Sequence, residues 1–306
     1  MIEKKYFASW LMLPKCNFSC VYCYYAVPIP GTKTYKPLQP SKSIVKRLIS
    51  HIKSIFGLKK KKPLPVKPKI FTHNLIESLK KTDKDWIIGM TGGEPFLYPD
   101  FVEVCKELIK HYRIAIDTNL SLDSKVREFA EAIDPKMVEY IYVSTHIRER
   151  ERRKDVNGFI DRVLLLKKKG FRVTVNYVLH PDLIERFEKD HEFFKSRGIA
   201  LSVRPIQGKF NGKIYPSSYT DSEKKLILKY SPKVKSYPAN FKGIPCNAGR
   251  NFIRINDAGE VMRCASDKKT LLGNIFYGIK LFNQAMPCTV DKCHCFGADL
   301  IEIKNT

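Results

Sequence analysis

Short apolar runs alternate with amphipathic stretches through the first two-thirds of the chain, and this rhythm limits the architecture more than any other feature of the sequence. Residues 6–13, 86–91, 114–118, 138–144, 171–178 and 200–203 are runs of strand length. Between them, 99–111, 121–133, 156–169 and 183–197 carry apolar residues at helical spacing, and 41–56 and 71–81 predict two more helical pieces. Parallel strands need crossovers of a dozen or more residues, which such helices supply. The expected fold class is therefore α/β, with six parallel strands curled by right-handed crossovers into a partial (βα)6 TIM-like barrel. In a barrel of this kind ligand chemistry gathers at the C-terminal ends of the strands.

The rhythm stops near residue 206. Residues 207–243 read as a polar connection with one helix over 221–230, and 244–306 as a small unit of a different kind. There 252–256 and 260–264 flank Asp257-Ala258-Gly259, a β-hairpin signal in which Gly259 can take a positive φ. The expected organisation is thus 1–206 barrel, 207–243 connection and 244–306 C-terminal domain.

The chain has 306 residues and a formal charge of +24, from 55 Lys+Arg against 31 Asp+Glu. Its 43% apolar content can fill an ordinary core, which excludes a disordered polybasic chain. Residues 1–70 hold 15 Lys+Arg against the single acid Glu3, a field that attracts acidic partners. The densest stretch, 58–69, is rich in Lys and Pro and predicts a solvated surface insertion. No aromatic residue interleaves it, so a nucleic-acid strip is the weaker reading. No apolar run approaches the ~20 residues of a bilayer span, and residues 1–13 lack a signal-peptide pattern. No membrane partner and a cytoplasmic location are expected.

Nine cysteines stand at positions 16, 20, 23, 105, 246, 264, 288, 293 and 295. A reducing compartment keeps thiols free, and the spacing implies two separate metal or thiol sites. Cys105, alone on the helix after the second strand, reads as a buried structural thiol. Cys16, Cys20 and Cys23 follow the first strand directly, at the mouth of the barrel. Soft thiolates suit zinc, Cu(I) or iron–sulfur clusters. A four-iron cubane held by only three of them leaves one iron open to a ligand, whereas a closed zinc knuckle more often shows two paired CxxC units.

Cys16-x3-Cys20-x-Tyr22-Cys23 resembles the CxxxCxφC signature of radical S-adenosylmethionine enzymes, with Tyr22 as the aromatic φ. Gly92-Gly93-Glu94-Pro95, closing the second strand, is similar to the GGE(P) motif of the same family. The resemblance implies a [4Fe-4S] cluster on Cys16, Cys20 and Cys23, with S-adenosylmethionine on its open iron. The backbone at Gly92 and Gly93 and the carboxylate of Glu94 would receive the amino group of that cofactor. It further implies reductive cleavage to a 5'-deoxyadenosyl radical, hydrogen abstraction from a substrate C–H bond, and a flavodoxin- or ferredoxin-type electron donor. Strand ends supply further candidates of lower specificity: Thr118 and Asn119, Ser144 and His146, Asn176, and Arg204. In the resemblance Ser144 and Asn176 take places that often hold the ribose or carboxylate of the cofactor, and Arg204 binds that carboxylate or a substrate anion. The alternative for each is a satisfied polar residue at a strand end. His146 reads as substrate-facing or structural rather than as a metal ligand.

Cys246-x12-Gly259-x4-Cys264 resembles the opening of the SPASM and twitch auxiliary-cluster domains. The full run of later SPASM cysteines is absent, so the resemblance implies one auxiliary [4Fe-4S] cluster, on Cys246, Cys264 and two of Cys288, Cys293 and Cys295. Structural zinc is the alternative.

The expected function is a radical S-adenosylmethionine oxidoreductase acting on one C–H position of a small molecule or peptide, by oxidation, crosslinking or epimerisation. With no residues left over for a separate peptide-binding domain, and a basic balance, the reading tilts toward a small anionic molecule such as a sugar or nucleotide. One alternative is an activase that modifies a partner protein. Another is a zinc-containing nucleic-acid-binding protein, which would leave Gly92-Gly93-Glu94-Pro95 unexplained.

Overall fold

Six of the apolar runs become parallel strands of one sheet, each followed by a helix that covers its outer side. The computed structural model describes residues 6–23, 67–231, 240–291 and 293. The expected helix at 41–56, most of the basic stretch 58–69, and Cys295 lie outside the described residues. In chain order the barrel elements are β1 (Tyr6–Leu11), α1 (Pro68–Lys80), β2 (Trp86–Thr91), α2 (Phe101–Leu108), β3 (Arg113–Thr118), α3 (Asp123–Ala132), β4 (Val138–Ser144), α4 (Ile147–Arg152), α5 (Val156–Lys168), β5 (Val173–Leu179), α6 (Phe187–Lys195) and β6 (Leu201–Pro205). A short hairpin β7 (Gly208–Phe210) and β8 (Lys213–Tyr215) leads to α7 (Asp221–Tyr230). The C-terminal part holds β9 (Pro245–Cys246), β10 (Phe252–Ile255), β11 (Glu260–Met262), β12 (Leu271–Asn274), β13 (Gly278–Ile279) and β14 (Met286–Pro287).

The main sheet runs β13-β12-β11-β10-β1-β2-β3-β4-β5-β6. Strands β1 to β6 stand in sequence order and pair in parallel, as the crossover argument requires. The expected hairpin forms as β10 and β11, with Gly259 at φ 79° in its turn. Its first strand also pairs in parallel with β1, setting Phe252 beside Phe7 and Arg254 beside Ser9. The C-terminal unit therefore continues the barrel sheet.

Alternation along each strand separates two faces. Trp10, Ile88, Met90, Ile114, Ile116, Ile141 and Val143 are at most 1% exposed and form the core under the helices. Trp10 stacks on Phe71 of α1 with ring centroids 4.9 Å apart. Burying each such side chain contributes ~1.5–3 kcal/mol. The opposite, concave face carries Phe7, Ser9, Gly89, Asp117, Tyr140 and Tyr142. Phe7 stacks on Phe252 and Tyr140, at 6.1 and 6.5 Å, and its ring fills the space above Gly89, where a Cβ would lie 2.2 Å from it.

Two departures from the sequence reading have clear causes. β1 ends at Leu11 rather than at residue 13, because from Met12 onward the chain follows the turn after β2. Helix α4, with the sequence IRERER, has no apolar stripe to reveal it and is fixed by what Arg150 reaches. Among the described residues no helix is long and apolar enough to cross a membrane.

Candidate active site

The cysteine loop begins by running alongside the end of β2. Met12 N–H donates to Thr91 O (2.9 Å), Gly93 N–H to Leu13 O (2.8 Å) and Glu94 N–H to Lys15 O (3.0 Å). Side chains are excluded from this seam, since a Cβ on Gly92 would lie 2.5 Å from Leu13 O and one on Gly93 only 2.0 Å from Lys15 O. Gly92 also holds φ 153°, which favours glycine. The close approach expected at the glycine pair is thus made first by the chain's own cysteine loop.

Beyond the seam, Phe18 N–H donates to Cys16 Sγ (3.4 Å) and Cys23 N–H to Cys20 O (3.0 Å). Burial raises the pKa of Cys16 and takes that of Cys20 to about 12, and the neighbouring thiols add to the rise at both. Cys16 and Cys20 would stay protonated unless a cation drew off the protons.

Glu94 is fully buried. Its carboxylate accepts from Thr118 Oγ1 (2.6 Å), Asn119 N–H (2.6 Å) and Phe96 N–H (3.1 Å), so it ties the end of β2 to the end of β3. Burial lifts its pKa to about 7 against these stabilising bonds. A carboxylate offers about four acceptor positions, and three are filled by the chain itself. Pro95 opens the short 3-10 turn Pro95–Leu97 that follows. Asn119 continues the link: its side-chain amide reaches Cys16 Sγ (3.6 Å) and donates to Asn17 Oδ1 (3.0 Å), while Asn17 donates to Ser121 Oγ (2.8 Å).

An arginine cluster that the sequence reading missed locks this assembly from behind. Arg150, with no exposed surface, donates to Thr145 O (3.1 Å), Asp155 Oδ2 (2.6 Å) and Asn119 O, and lies over the rings of Phe18 and Phe159 at 4.9 and 4.3 Å. Arg162 shares Asp155 and donates to Leu120 O (2.7 Å). Arg153 also lies over the Phe18 ring, at 4.8 Å, and donates to Asn17 O. The contacts of Arg150 and Arg153 with Phe18 and Asn17 join residues more than a hundred positions apart, and no local pattern announces them.

Tyr22 is held in place by His146, whose Nδ1 lies 3.0 Å from the Tyr22 hydroxyl, and its ring packs between His146 and His180 at 5.7 and 5.9 Å. Burial, helped by Arg150, pushes the His146 pKa down to about 4, so the ring is neutral near pH 7. His146 thus braces Tyr22. Further along the mouth, Ser144 sits beside Asn176 across β4 and β5, and Arg204 donates to Asn176 Oδ1 (3.1 Å) over the Tyr142 ring. Asp117, which the sequence reading passed over, lies beside Tyr142 on the concave face. Solvent reaches its carboxylate, yet the surrounding walls desolvate it and lift its pKa to about 6. Its signal was available: an acid directly after the apolar run Ile114-Ala115-Ile116, at an inward position.

Cys246, Cys264, Cys288 and Cys293 lie in neighbouring segments of the C-terminal part. Strands β9 and β14 pair Cys246 with Met286, and Cys288 N–H donates to Ile244 O (2.9 Å). Cys246 feels the charges of Cys288 and Cys293, and Cys264 that of Cys293. Ala248 N–H and Asp267 N–H donate to the sulfurs of Cys246 and Cys264, at 3.5 and 3.2 Å. Burial raises the Cys264 pKa to about 11. Cys105 is apart from both groups and fully buried in α2, as expected.

The profile of the radical SAM superfamily matches residues 10–194, more than half of the chain. The chain belongs to the radical SAM superfamily. Members of that family are enzymes, and the family implies a [4Fe-4S] cluster and S-adenosylmethionine. A curated relative, the indoleacetate decarboxylase activating enzyme of Tractidigestivibacter scatoligenes, is 29% identical over 125 residues, which cover 37% of this chain and 38% of the relative. The chain thus matches well under half the length of that protein. Among solved structures, anSMEcpe with bound AdoMet and Cp18Cys peptide superposes with a TM-score of 0.55 at 16% identity, over 88% of this chain and 77% of that one. SuiB of Streptococcus suis bound to S-adenosylmethionine gives 0.53 at 14% identity, over 88% and 63%. These likenesses confirm the partial barrel.

The radical SAM residues present fit the family's cofactors in donor chemistry. Both cysteine groups offer soft sulfur ligands that receive backbone N–H bonds, one of the means by which proteins tune iron–sulfur clusters. Among the described residues no three His, Cys, Asp or Glu side chains are gathered as the ligands of a single ion would be. A cluster asks for less convergence, because each thiolate binds a different iron.

Proposed function

We propose that Cys16, Cys20 and Cys23 hold a [4Fe-4S] cluster whose open iron takes S-adenosylmethionine, and that Cys246, Cys264, Cys288 and Cys293 hold one auxiliary [4Fe-4S] cluster. Such an enzyme would abstract hydrogen from a C–H bond of a substrate lodged on the concave face, and Cys246, Cys264, Cys288 and Cys293 would hold a group able to take up an electron from the substrate or to anchor it. The observation that carries this reading is the seam that fixes the cysteine loop against Gly92 and Gly93. The bound cofactors supply the one-electron chemistry that opens an unactivated C–H bond. The chain's own residues do the rest. Glu94 and Asn119 hold the mouth rigid, Asn176 and Arg204 offer a carboxylate- and ribose-binding pair, and Ser144 offers a hydroxyl beside them. Phe7, Phe252, Tyr140 and Tyr142 line the concavity with apolar surface that excludes water from the reacting atoms.

The peptide bound to anSMEcpe supports a peptide substrate over the small anionic molecule toward which the sequence tilts. Reconstituted enzyme with a flavodoxin- or ferredoxin-type donor, or dithionite, is expected to form deoxyadenosine. It should contain about eight irons per chain. The triple variant Cys16→Ala, Cys20→Ala, Cys23→Ala should form none, and deoxyadenosine from that variant would end the reading.

The activating-enzyme relative favours a second reading, an activase acting on a partner protein. A radical or new mass on a protein partner, with no low-molecular-weight or peptide product, would decide for it.

A further inference from the structure

Arg263, the residue before Cys264, is 4% exposed, yet all the hydrogen bonds of its guanidinium go to backbone carbonyls. Nε donates to Ala248 O (3.0 Å), Nη1 to Pro287 O (2.7 Å), and Nη2 to Met286 O (2.5 Å) and Cys246 O (3.5 Å). Its flat group lies 5.5 Å from the Phe282 ring. Among the described residues no Asp or Glu oxygen comes within the 4.0 Å of an ion pair. The other two buried arginines are different, since Arg150 and Arg162 both pair with Asp155.

A guanidinium keeps its proton in a protein, so Arg263 is a buried positive charge with no acid partner among the described residues. Carbonyl dipoles solvate such a charge without cancelling it, and a buried charge left uncompensated is strongly unfavourable. The nearby groups able to become negative are thiols. Three of the carbonyls that Arg263 holds belong to Cys246 and to Met286 and Pro287, just before Cys288. Its own next residue is Cys264.

We propose that Arg263 is the fixed counter-charge of an anionic metal–thiolate centre on Cys246, Cys264, Cys288 and Cys293, and that it raises the reduction potential of that centre. The proposal rests on the auxiliary-cluster reading above. A cluster with four thiolates becomes more negative when it takes up one electron, with no bond made or broken. A cation held beside it stabilises the reduced form more than the oxidised one. Arg263 is thus a positioning and tuning residue for the cluster.

The test uses the full chain carrying Cys16→Ala, Cys20→Ala and Cys23→Ala, so that only the C-terminal centre gives a paramagnetic signal. The reconstituted protein is titrated with dithionite and mediators and followed by electron paramagnetic resonance. Arg263→Gln should shift the reduction equilibrium at least tenfold toward the oxidised form, which is ~59 mV for one electron. Arg263→Lys keeps the charge but loses the planar fork, and should stay within half of that shift. Loss of iron from Arg263→Gln with retention in Arg263→Lys would also support the counter-charge. An unchanged midpoint in Arg263→Gln at full iron content would overturn the proposal, as would equal shifts in both variants. Loss of iron from both would mean that Arg263 is only a strap. Stoichiometric zinc and no reducible signal before Arg263 is changed would instead refute the auxiliary-cluster reading, and metal analysis separates that outcome from the others.

Discussion

The backbone of Gly93 passes so close to that of Lys15 that a methyl group on Gly93 would stand 2.0 Å from the Lys15 carbonyl oxygen and 2.7 Å from Cys16 N. The end of β2 therefore acts as a template against which the cysteine loop is laid. The position of Cys16 is set by backbone contact before any metal enters.

Gly93→Ala should consequently damage the cluster site as well as the fold. Forcing a methyl into this seam breaks the bond from Glu94 N–H to Lys15 O, at a cost of about 1–3 kcal/mol. We expect lower stability in urea and iron content falling toward half, read from the same preparation. Full iron with ordinary stability would contradict the template role.

Arg150→Met removes the buried charge that joins Thr145, Asn119 and Asp155. Asp155 retains Arg162, yet the loss should reach about 3–5 kcal/mol, as for other broken buried pairs. Urea denaturation gives the magnitude. A loss under about 1 kcal/mol would show that the cluster behind Phe18 is dispensable.

Glu94 gives the protein a defined pH signature. Its folded pKa of about 7 lies above the ordinary 4.5. Between those values the folded chain holds a proton that the unfolded chain has released. Stability from this group is therefore greatest below 4.5, falls as pH rises, and has lost its full increment above about 7. Glu94→Gln has no such proton. The stability of the wild type minus that of the variant should decline from pH 5 to 8 by on the order of 2–3 kcal/mol. A flat difference would mean that the bonds from Thr118, Asn119 and Phe96 keep the carboxylate ionised throughout.

Cys264→Ala should remove about half of the reconstituted iron and leave the N-terminal cluster's signal intact. Cys105→Ala should keep all of it, because that thiol lies in the core away from both groups. Equal iron in the wild type and Cys264→Ala would remove the auxiliary cluster from the proposal.

The sequence by itself determined the order of the six barrel strands, their parallel pairing and the hairpin around Gly259, because these follow from periodicity and turn chemistry over a few residues. It also marked both cysteine groups, since thiolates at short spacing are a local pattern. The tertiary structure alone decided what holds them. Arg150 and Arg153 meet the cysteine loop at Phe18 and Asn17, Arg162 holds Leu120 and shares Asp155 with Arg150, and Arg263 reaches the carbonyls that precede Cys288. Only folding brings such distant groups together, and a buried charge reveals its meaning only through its partners. The same reason explains Asp117 and the parallel pairing of β10 with β1: a strand's face is legible in sequence, but the neighbour it faces is chosen by the packing of the whole sheet.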